Sequence, residues 1–411
     1  MNATATPSKF HYAWVIAFVG LLSTMACLGL ARFAFGMMLP LMARALDLNY
    51  TQQGILGTGY FVGYLGMVAT LPWLVPKLGP RRLASFSLLL VAISVSAFAL
   101  TRDFHVVVIL YVLAGIGSGG AFVPTMSLAS QWFHPSHRGL AAGISLAGAG
   151  TGIMLSGLTV PHLEPAYGFD DWQIGWVFFG AVVLMLAIIC AVFFRDTPAQ
   201  MGLKPFGTPT SQPLNQDPIS AHQPLRAHTP ILLHLGGIYA IYGATYLIYA
   251  TFVVTSMIDD FGLDHADAGQ LWVWVGFFSI FSGALFGRLS DQLGRRGGLM
   301  VAFATMASAF ILVALPLGEI ALYVSVFLFG ISAWSIVTIM SAAAGDYLGP
   351  RNAAAGLAIL TFMFTIGQTI GPATAGFLAE WSGGFGLGFG FCAALAGIAA
   401  VWSGFLKPPT S

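Results

Sequence analysis

The sequence predicts an all-α polytopic membrane protein with twelve transmembrane helices arranged as two six-helix repeats. Three observations carry this expectation. Of 411 residues, 57% are hydrophobic and only 8% charged, whereas an average soluble domain is about 25% charged. A soluble fold of this size could not cover so much apolar surface. Charges and turn residues divide the chain into twelve long apolar segments, and the second half of the chain repeats features of the first at a fixed offset.

The segments fall at roughly 12–43, 51–75, 84–101, 106–131, 139–160, 172–194, 230–258, 267–288, 299–316, 320–344, 354–378 and 385–405. Helical rise is about 1.5 Å per residue, so each is long enough to cross about 30 Å of hydrocarbon. The alternating stretches of a membrane β-barrel are absent from the pattern. The first segment is too long for a signal-peptide core and lacks a small-residue exit, so it is expected to be retained. Lys and Arg set the orientation. With the N-terminus inside, Lys9, Lys77, Arg81, Arg82, Arg138, Arg195, Lys204, Arg226, Arg288, Arg295, Arg296, Arg351 and Lys407 all fall on the inner side, and only Arg44 and Arg102 on the outer. This one-sidedness predicts cytoplasmic N- and C-termini, in a bacterial inner membrane. Residues 195–229 are rich in Pro, Ser, Gln and Thr without an apolar period, and are expected to be a solvated cytoplasmic linker. The predicted organisation is therefore a six-helix half over 1–194, a linker over 195–229 and a second six-helix half over 230–411. Cys27, Cys190 and Cys392 lie in apolar segments and are expected to be packing residues.

A shift of 215 residues carries Leu48, Gly54, Leu56, Gly79 and Arg81 onto Leu263, Gly269, Leu271, Gly294 and Arg296. Two parallel six-helix repeats point to a transporter whose halves rock about a site at their interface. The string GRLSDQLGRR, Gly287 to Arg296, resembles the loop between helices 8 and 9 of the major facilitator superfamily. The strings GQTIGPATAG, WFHPSHRGLAAGIS and RDTPAQMGLKP also look like that family, the last most like its oxalate/formate and monocarboxylate transporter-like branch. The resemblance covers the whole chain. It implies the major facilitator fold, secondary active transport, and a conformational latch formed by Gly287, Asp291, Gly294, Arg295 and Arg296. The first-half copy, PWLVPKLGPRR, has Pro72 in place of the glycine and Pro76 in place of the aspartate.

Arg32 lies within an apolar stretch, and a guanidinium stays charged wherever it sits. All fifteen acids and all nine histidines fall in loops or at segment ends, so none is positioned near mid-membrane to pair with it. The partner is expected to be a bound anion or a polar cavity, with snorkelling to the outer surface as the structural alternative. The family resemblance implies that helices 1, 4, 7 and 10 line the cavity. In segment 7, Tyr239, Tyr242, Tyr246 and Tyr249 share one helix face, where phenols could donate to a carboxylate and rings could hold an apolar tail. Candidate substrate-binding residues are Arg32, Tyr242, Tyr246, Tyr249, Trp334 and Gln368. An aromatic packing stripe is the alternative for the tyrosines, and helix–helix hydrogen bonding for Trp334 and Gln368. Tyr111 stands where many proton-coupled family members carry an arginine.

The glycine strings GIGSGG and GAGTG follow no strand and are close-packing residues. With no nucleophile–base pair, metal spacing, nucleotide loop or nucleic-acid patch, the sequence points away from an enzyme, a cofactor or a metal. The expected substrate is a small monocarboxylate-like organic anion. Efflux of hydrophobic drug-like compounds is the alternative, and a non-transporting sensor a more distant one. A proton or a counter-anion is the possible coupled species, the bilayer the obligate environment, and a monomer the expected state.

Overall fold

The computed structural model describes residues 10–165, 168–208, 228–315 and 317–407, and is almost wholly helical. The first half comprises α1 (Ala13–Ala45), α2 (Tyr50–Leu78), α3 (Pro80–Leu100), α4 (Phe104–Trp132), α5 (Arg138–His162) and α6 (Asp171–Phe193). The second begins with α7 (Thr229–Asp259), followed by the stretch His265–Ala314. Gly294, at φ 76° and ψ 163°, breaks that stretch into α8 (265–293) and α9 (295–314). Next come α10 (Glu319–Gly349), α11 (Ala355–Ser382) and α12 (Gly386–Ser403). Among the described residues this makes twelve helices of membrane-crossing length, in agreement with the expected fold class.

The repeat is written in the backbone as well as in the sequence. Gly79, with φ 77° and ψ 152°, turns α2 into α3, and Gly294 turns α8 into α9 in nearly the same conformation. These two glycines are partners at the 215-residue offset, and a positive φ of this kind is costly for residues with a Cβ. Several of the loop acids are helix caps. Asp103 accepts from the Val106 amide at 3.0 Å and Asp264 from the Asp267 amide at 2.8 Å. Asn49 and Gln52 form a reciprocal capping box at the start of α2, and Asp170 and Gln173 another at the start of α6.

At one end of the bundle, here termed the linker end, residues 195–208 pack on the first half. The Phe206 amide donates to the Trp132 carbonyl at 2.9 Å, and the His134 amide to the Phe206 carbonyl at 2.9 Å. The Phe206 ring is surrounded by His11, Trp14, Phe133 and His137. The first part of the expected linker is thus folded against the first half, while 209–227 lie outside the described residues.

The halves meet closely toward the opposite, far end. A Cβ on Gly36 of α1 would lie 2.5 Å from the Ala250 carbonyl oxygen of α7, and one on Gly54 of α2 would lie 2.6 Å from the Pro372 oxygen of α11. Between α5 and α8, a Cβ on Gly157 would lie 2.6 Å from the Gly269 oxygen, and the Trp272 Nε1 donates to Ser156 Oγ at 3.2 Å. Tyr50 bolts this end shut. Its amide donates to Glu380 at 2.9 Å, its hydroxyl to Asp259 at 3.4 Å, and its ring packs on Phe385 at 4.9 Å. Near mid-depth, Thr58 Oγ1 of α2 enters the α11 ladder, donating to the Thr369 carbonyl at 2.9 Å and accepting from the Ala373 amide at 3.1 Å. Toward the linker end the picture reverses. A Cβ added at Gly66, Gly139, Gly143 or Gly345 would meet no atom within 4 Å. The close approaches between the halves named above thus lie at mid-depth and toward the far end.

Candidate substrate site

The site begins with a defect in α1. From Met25 to Phe33 the backbone follows a π-helix, and the Ala34 amide reaches back to the Gly29 carbonyl. Such widened turns free carbonyls from their usual partners and recur at functional positions. Here the freed oxygens are met by neighbouring helices. The Tyr60 and Ser118 hydroxyls both donate to the Cys27 carbonyl at 3.0 Å, and the Tyr111 hydroxyl to the Ala31 carbonyl at 3.3 Å. Tyr111 is therefore a support for the π-turn. Gly29 lets the bulge press on α5, where an added Cβ would stand 2.7 Å from Gly152 Cα.

Arg32 occupies the last turn of this π-helix and is 9% exposed. Its guanidinium carbon lies 4.8 Å from the Phe33 ring centroid, 4.7 Å from that of Phe61 and 5.4 Å from that of Tyr246. Nε and Nη2 are buried and have no hydrogen-bond partner among the described residues. The side chain is thus caged by aromatic faces in the bundle, which argues against snorkelling. Cation–π contacts stabilise the charge by about 0.5–2 kcal/mol each, yet they leave the in-plane N–H groups unsatisfied. Nε–H and one Nη2–H lie on the same edge of the guanidinium and point in parallel. That edge matches the two oxygens of a carboxylate.

The second half contributes α7, α10 and α11. Tyr242, Tyr246 and the Phe364 ring of α11 form a stack, with centroids 4.7 Å apart between the tyrosines and 5.8 Å between Tyr246 and Phe364. Gln368 Nε2 donates to the Tyr246 hydroxyl at 2.6 Å. Tyr242 donates to the Ala333 carbonyl. That carbonyl sits at an interruption in α10, between helical runs ending at Ser332 and resuming at Ser335. The Trp334 amide there finds Ser282 Oγ at 2.9 Å. The break turns the indole toward α1, where it meets Phe33 at 5.4 Å and Tyr246 at 6.2 Å. Its Nε1 is enclosed without an acceptor among the described residues.

Arg32, Tyr242, Tyr246, Trp334 and Gln368 therefore converge, joined by shared rings. Tyr249 does not join them through any such contact. Its ring stacks on Phe329 at 4.0 Å and its hydroxyl pairs with Ser325 Oγ at 2.9 Å, while that Oγ donates to the Ala309 carbonyl at 2.7 Å. Phe33 and Phe61 face the guanidinium, Tyr60 supports the π-turn and Phe364 extends the tyrosine stack; all four are additional to the residues selected from sequence. Tyr60 and Tyr64 recur at i and i+4 in α2, a pattern that signals one aromatic face but not which neighbour it meets. Among the described residues, no group of three His, Cys, Asp or Glu is placed to hold a metal.

At the linker end, Arg295 joins two carboxylates of its own half, Asp291 at 2.8 Å and Asp346 at 2.6 Å. The first-half counterpart uses different parts. The Arg81 amide donates to Asp196 at 2.8 Å, and its guanidinium to the Ala191 carbonyl at 2.7 Å. Asp196, just past α6, accepts at the turn where the first-half string lacks its own aspartate.

The sequence matches the model of the Major Facilitator Superfamily over residues 21–331 and 235–411. It is 23% identical to a probable sulfoacetate transporter of Cupriavidus necator, an alignment covering 90% of this chain and 88% of the relative. It is likewise 23% identical to a hexuronate transporter of Bacillus subtilis, covering 90% and 89% of the two chains. The fold superposes on an inward-facing bacterial homologue of the human lysosomal transporter Spinster with a TM-score of 0.75 and 16% identity, covering 96% of this chain and 97% of that one. With a family match spanning both halves and a twelve-helix fold to go with it, this chain belongs to the Major Facilitator Superfamily.

Proposed function

We propose that the chain is a secondary active transporter that moves a small, monocarboxylate-like organic anion across the membrane by alternating access, with Arg32 holding the anionic group. The observation that carries this reading is the buried, unpartnered Nε/Nη2 edge of Arg32 at the meeting of the two halves. A permanent cation with no acid beside it is costly in a bilayer unless a mobile partner supplies the counter-charge. The relatives named above are a probable sulfoacetate transporter and a hexuronate transporter; both solutes are anions, which agrees in charge. With the linker end read as cytoplasmic from the positive-inside pattern, the contacts between the halves at the far end make this an arrangement closed to the outside.

Uptake and counterflow into proteoliposomes, with and without a pH gradient, test the function. A panel of short and aryl carboxylates is expected to exchange, and neutral isosteres of the same shape to fail. Movement of lipophilic cations or neutral drugs with no carboxylate exchange would transfer the reading to efflux.

The tyrosines separate in a paired test. Tyr249→Phe loses the bond to Ser325 and is expected to lower stability by about 0.5–1.5 kcal/mol, with anion affinity unchanged. Tyr246→Phe removes the acceptor of Gln368 and a phenol beside Arg32, and is expected to weaken binding by about 0.5–1.5 kcal/mol. Chemical denaturation and ligand titration of both variants distinguish the two roles, and equal affinity in Tyr246→Phe would remove that hydroxyl from the site.

Asp291 is proposed to act in cycling. Asp291→Asn takes from Arg295 one of its two carboxylate partners. It is expected to slow exchange while leaving membrane abundance and anion affinity near wild type. Wild-type rates in Asp291→Asn protein of normal abundance would contradict the latch.

A further inference from the structure

Arg32 belongs to one half of the bundle; in the other half the Trp334 indole, packed on two of the same rings, is a buried donor without an acceptor among the described residues. We infer that the transported anion carries a second hydrogen-bond acceptor, a carbonyl, hydroxyl or further anionic oxygen, which Trp334 Nε1–H takes while Arg32 takes the first anionic group. The inference rests on the reading of Arg32 as the anion anchor and refines it: the favoured anion is one that bears a second acceptor, a keto, hydroxy or further acid group, rather than a plain monocarboxylate.

Three observations combine. Arg32 Nε and Nη2 and Trp334 Nε1 are all enclosed donors without acceptors among the described residues. The two side chains are neighbours in the bundle, because each packs on the same two rings. Phe33 lies 4.8 Å from the guanidinium and 5.4 Å from the indole, and Tyr246 lies 5.4 Å and 6.2 Å from them. The indole position is also built rather than incidental. The interruption of α10 that turns Trp334 inward is held by Tyr242 on the Ala333 carbonyl and by Ser282 on the Trp334 amide.

The chemistry of these groups then restricts the ligand. Guanidinium and indole N–H are donors only. The acids of the sequence fall in loops or at segment ends, so these two groups offer donors between aromatic faces and ask for acceptors. An unsubstituted alkanoate would satisfy Arg32 and leave the indole N–H buried and unpaired. Sites built to bond a polar group discriminate against the analogue that lacks it, because their own buried polar atom is left without a partner. The two donors also come from opposite halves, so a ligand spanning them would couple the halves mechanically as well as chemically.

The test is calorimetric titration of the purified full-length chain with matched acids: pyruvate against propanoate, levulinate or glutarate against pentanoate, and succinate against butanoate. At least one acceptor-bearing acid is expected to bind wild type about tenfold or more tightly than its alkanoate. Trp334→Phe is expected to erase that preference while leaving the alkanoate's affinity within about twofold, the ring face being retained. Where Trp334→Phe is poorly retained, the indole N–H resonances of wild type serve instead: one should shift with the acceptor-bearing acid and stay in place with the alkanoate. Equal binding within every pair, or a preference that survives Trp334→Phe, would overturn the inference while leaving Arg32-dependent binding intact. Binding of no acid, or binding unchanged in Arg32→Ala, would overturn the anchor reading itself, and this inference with it.

Discussion

Gly54→Val and Gly36→Val are expected to leave a folded protein that cannot close its far end. The substituted side chain meets the other half only in the closed arrangement. There a Cβ at Gly54 stands 2.6 Å from the Pro372 oxygen and one at Gly36 stands 2.5 Å from the Ala250 oxygen, both backbone atoms with little room to give. Overpacking of this kind costs about 1–3 kcal/mol. The cost falls on one member of the conformational equilibrium, so the population shifts toward the state open at the far end by roughly 5- to 150-fold. Exchange should fall by about tenfold or more. A cysteine placed at Thr255, which is 1% exposed in the closed arrangement, should become reactive to an impermeant maleimide added from the far side. The native cysteines are all buried and give little background. Gly66→Val on the same helix is the control, because nothing lies within 4 Å of its added Cβ; it should transport normally. Unchanged labelling and transport in both variants would contradict the gate.

The sequence carried the architecture well because the bilayer imposes it. Segment length, charge asymmetry and the 215-residue offset are physical consequences of crossing hydrocarbon twelve times, and Gly79 and Gly294 show the repeat surviving as backbone conformation. Arg32 was legible for the same reason, since a lone cation in an apolar run is conspicuous. The cage around it was less so. Phe61 and Phe364 look like any lipid-facing phenylalanine until tertiary packing says which face is inward. The π-turn over 25–33 and the α10 break at Ala333–Trp334 leave no proline signal at the defect itself, and they determine where Arg32 and Trp334 point. Tyr249 illustrates the converse. It shares a helical face with Tyr242 and Tyr246, yet α10 supplies Ser325 and Phe329 at its level, so its hydroxyl is engaged within its own half. Periodicity gives the face of a helix but not the partner at each depth. The folded start of the linker at 195–208 was not legible, because its grip on residues 132–137, between α4 and α5, comes from backbone pairing and a single Phe206, neither of which produces a periodic pattern.

The second large effect is expected at Arg32. Arg32→Ala removes a cation buried inside the bundle and leaves the rings of the aromatic cage in place. Losing one partner of a desolvated charge pair costs about 2–5 kcal/mol, or roughly 30- to 4,000-fold in affinity. Arg32→Lys should recover only part of this, since an ammonium cannot present two parallel N–H groups to one carboxylate. Because the guanidinium does not titrate, the binding it supports should hold from neutral to mildly alkaline pH and fall only when the ligand's own carboxylate is protonated. The most direct measurement of the central claim is equilibrium binding of one carboxylate that exchanges in proteoliposomes, and of its uncharged amide, to wild type, Arg32→Lys and Arg32→Ala. The account predicts tight carboxylate and weak amide binding in wild type, an intermediate carboxylate affinity with Lys, and no discrimination with Ala. Equal carboxylate affinity in wild type and Arg32→Ala would contradict it and return Arg32 to a structural role.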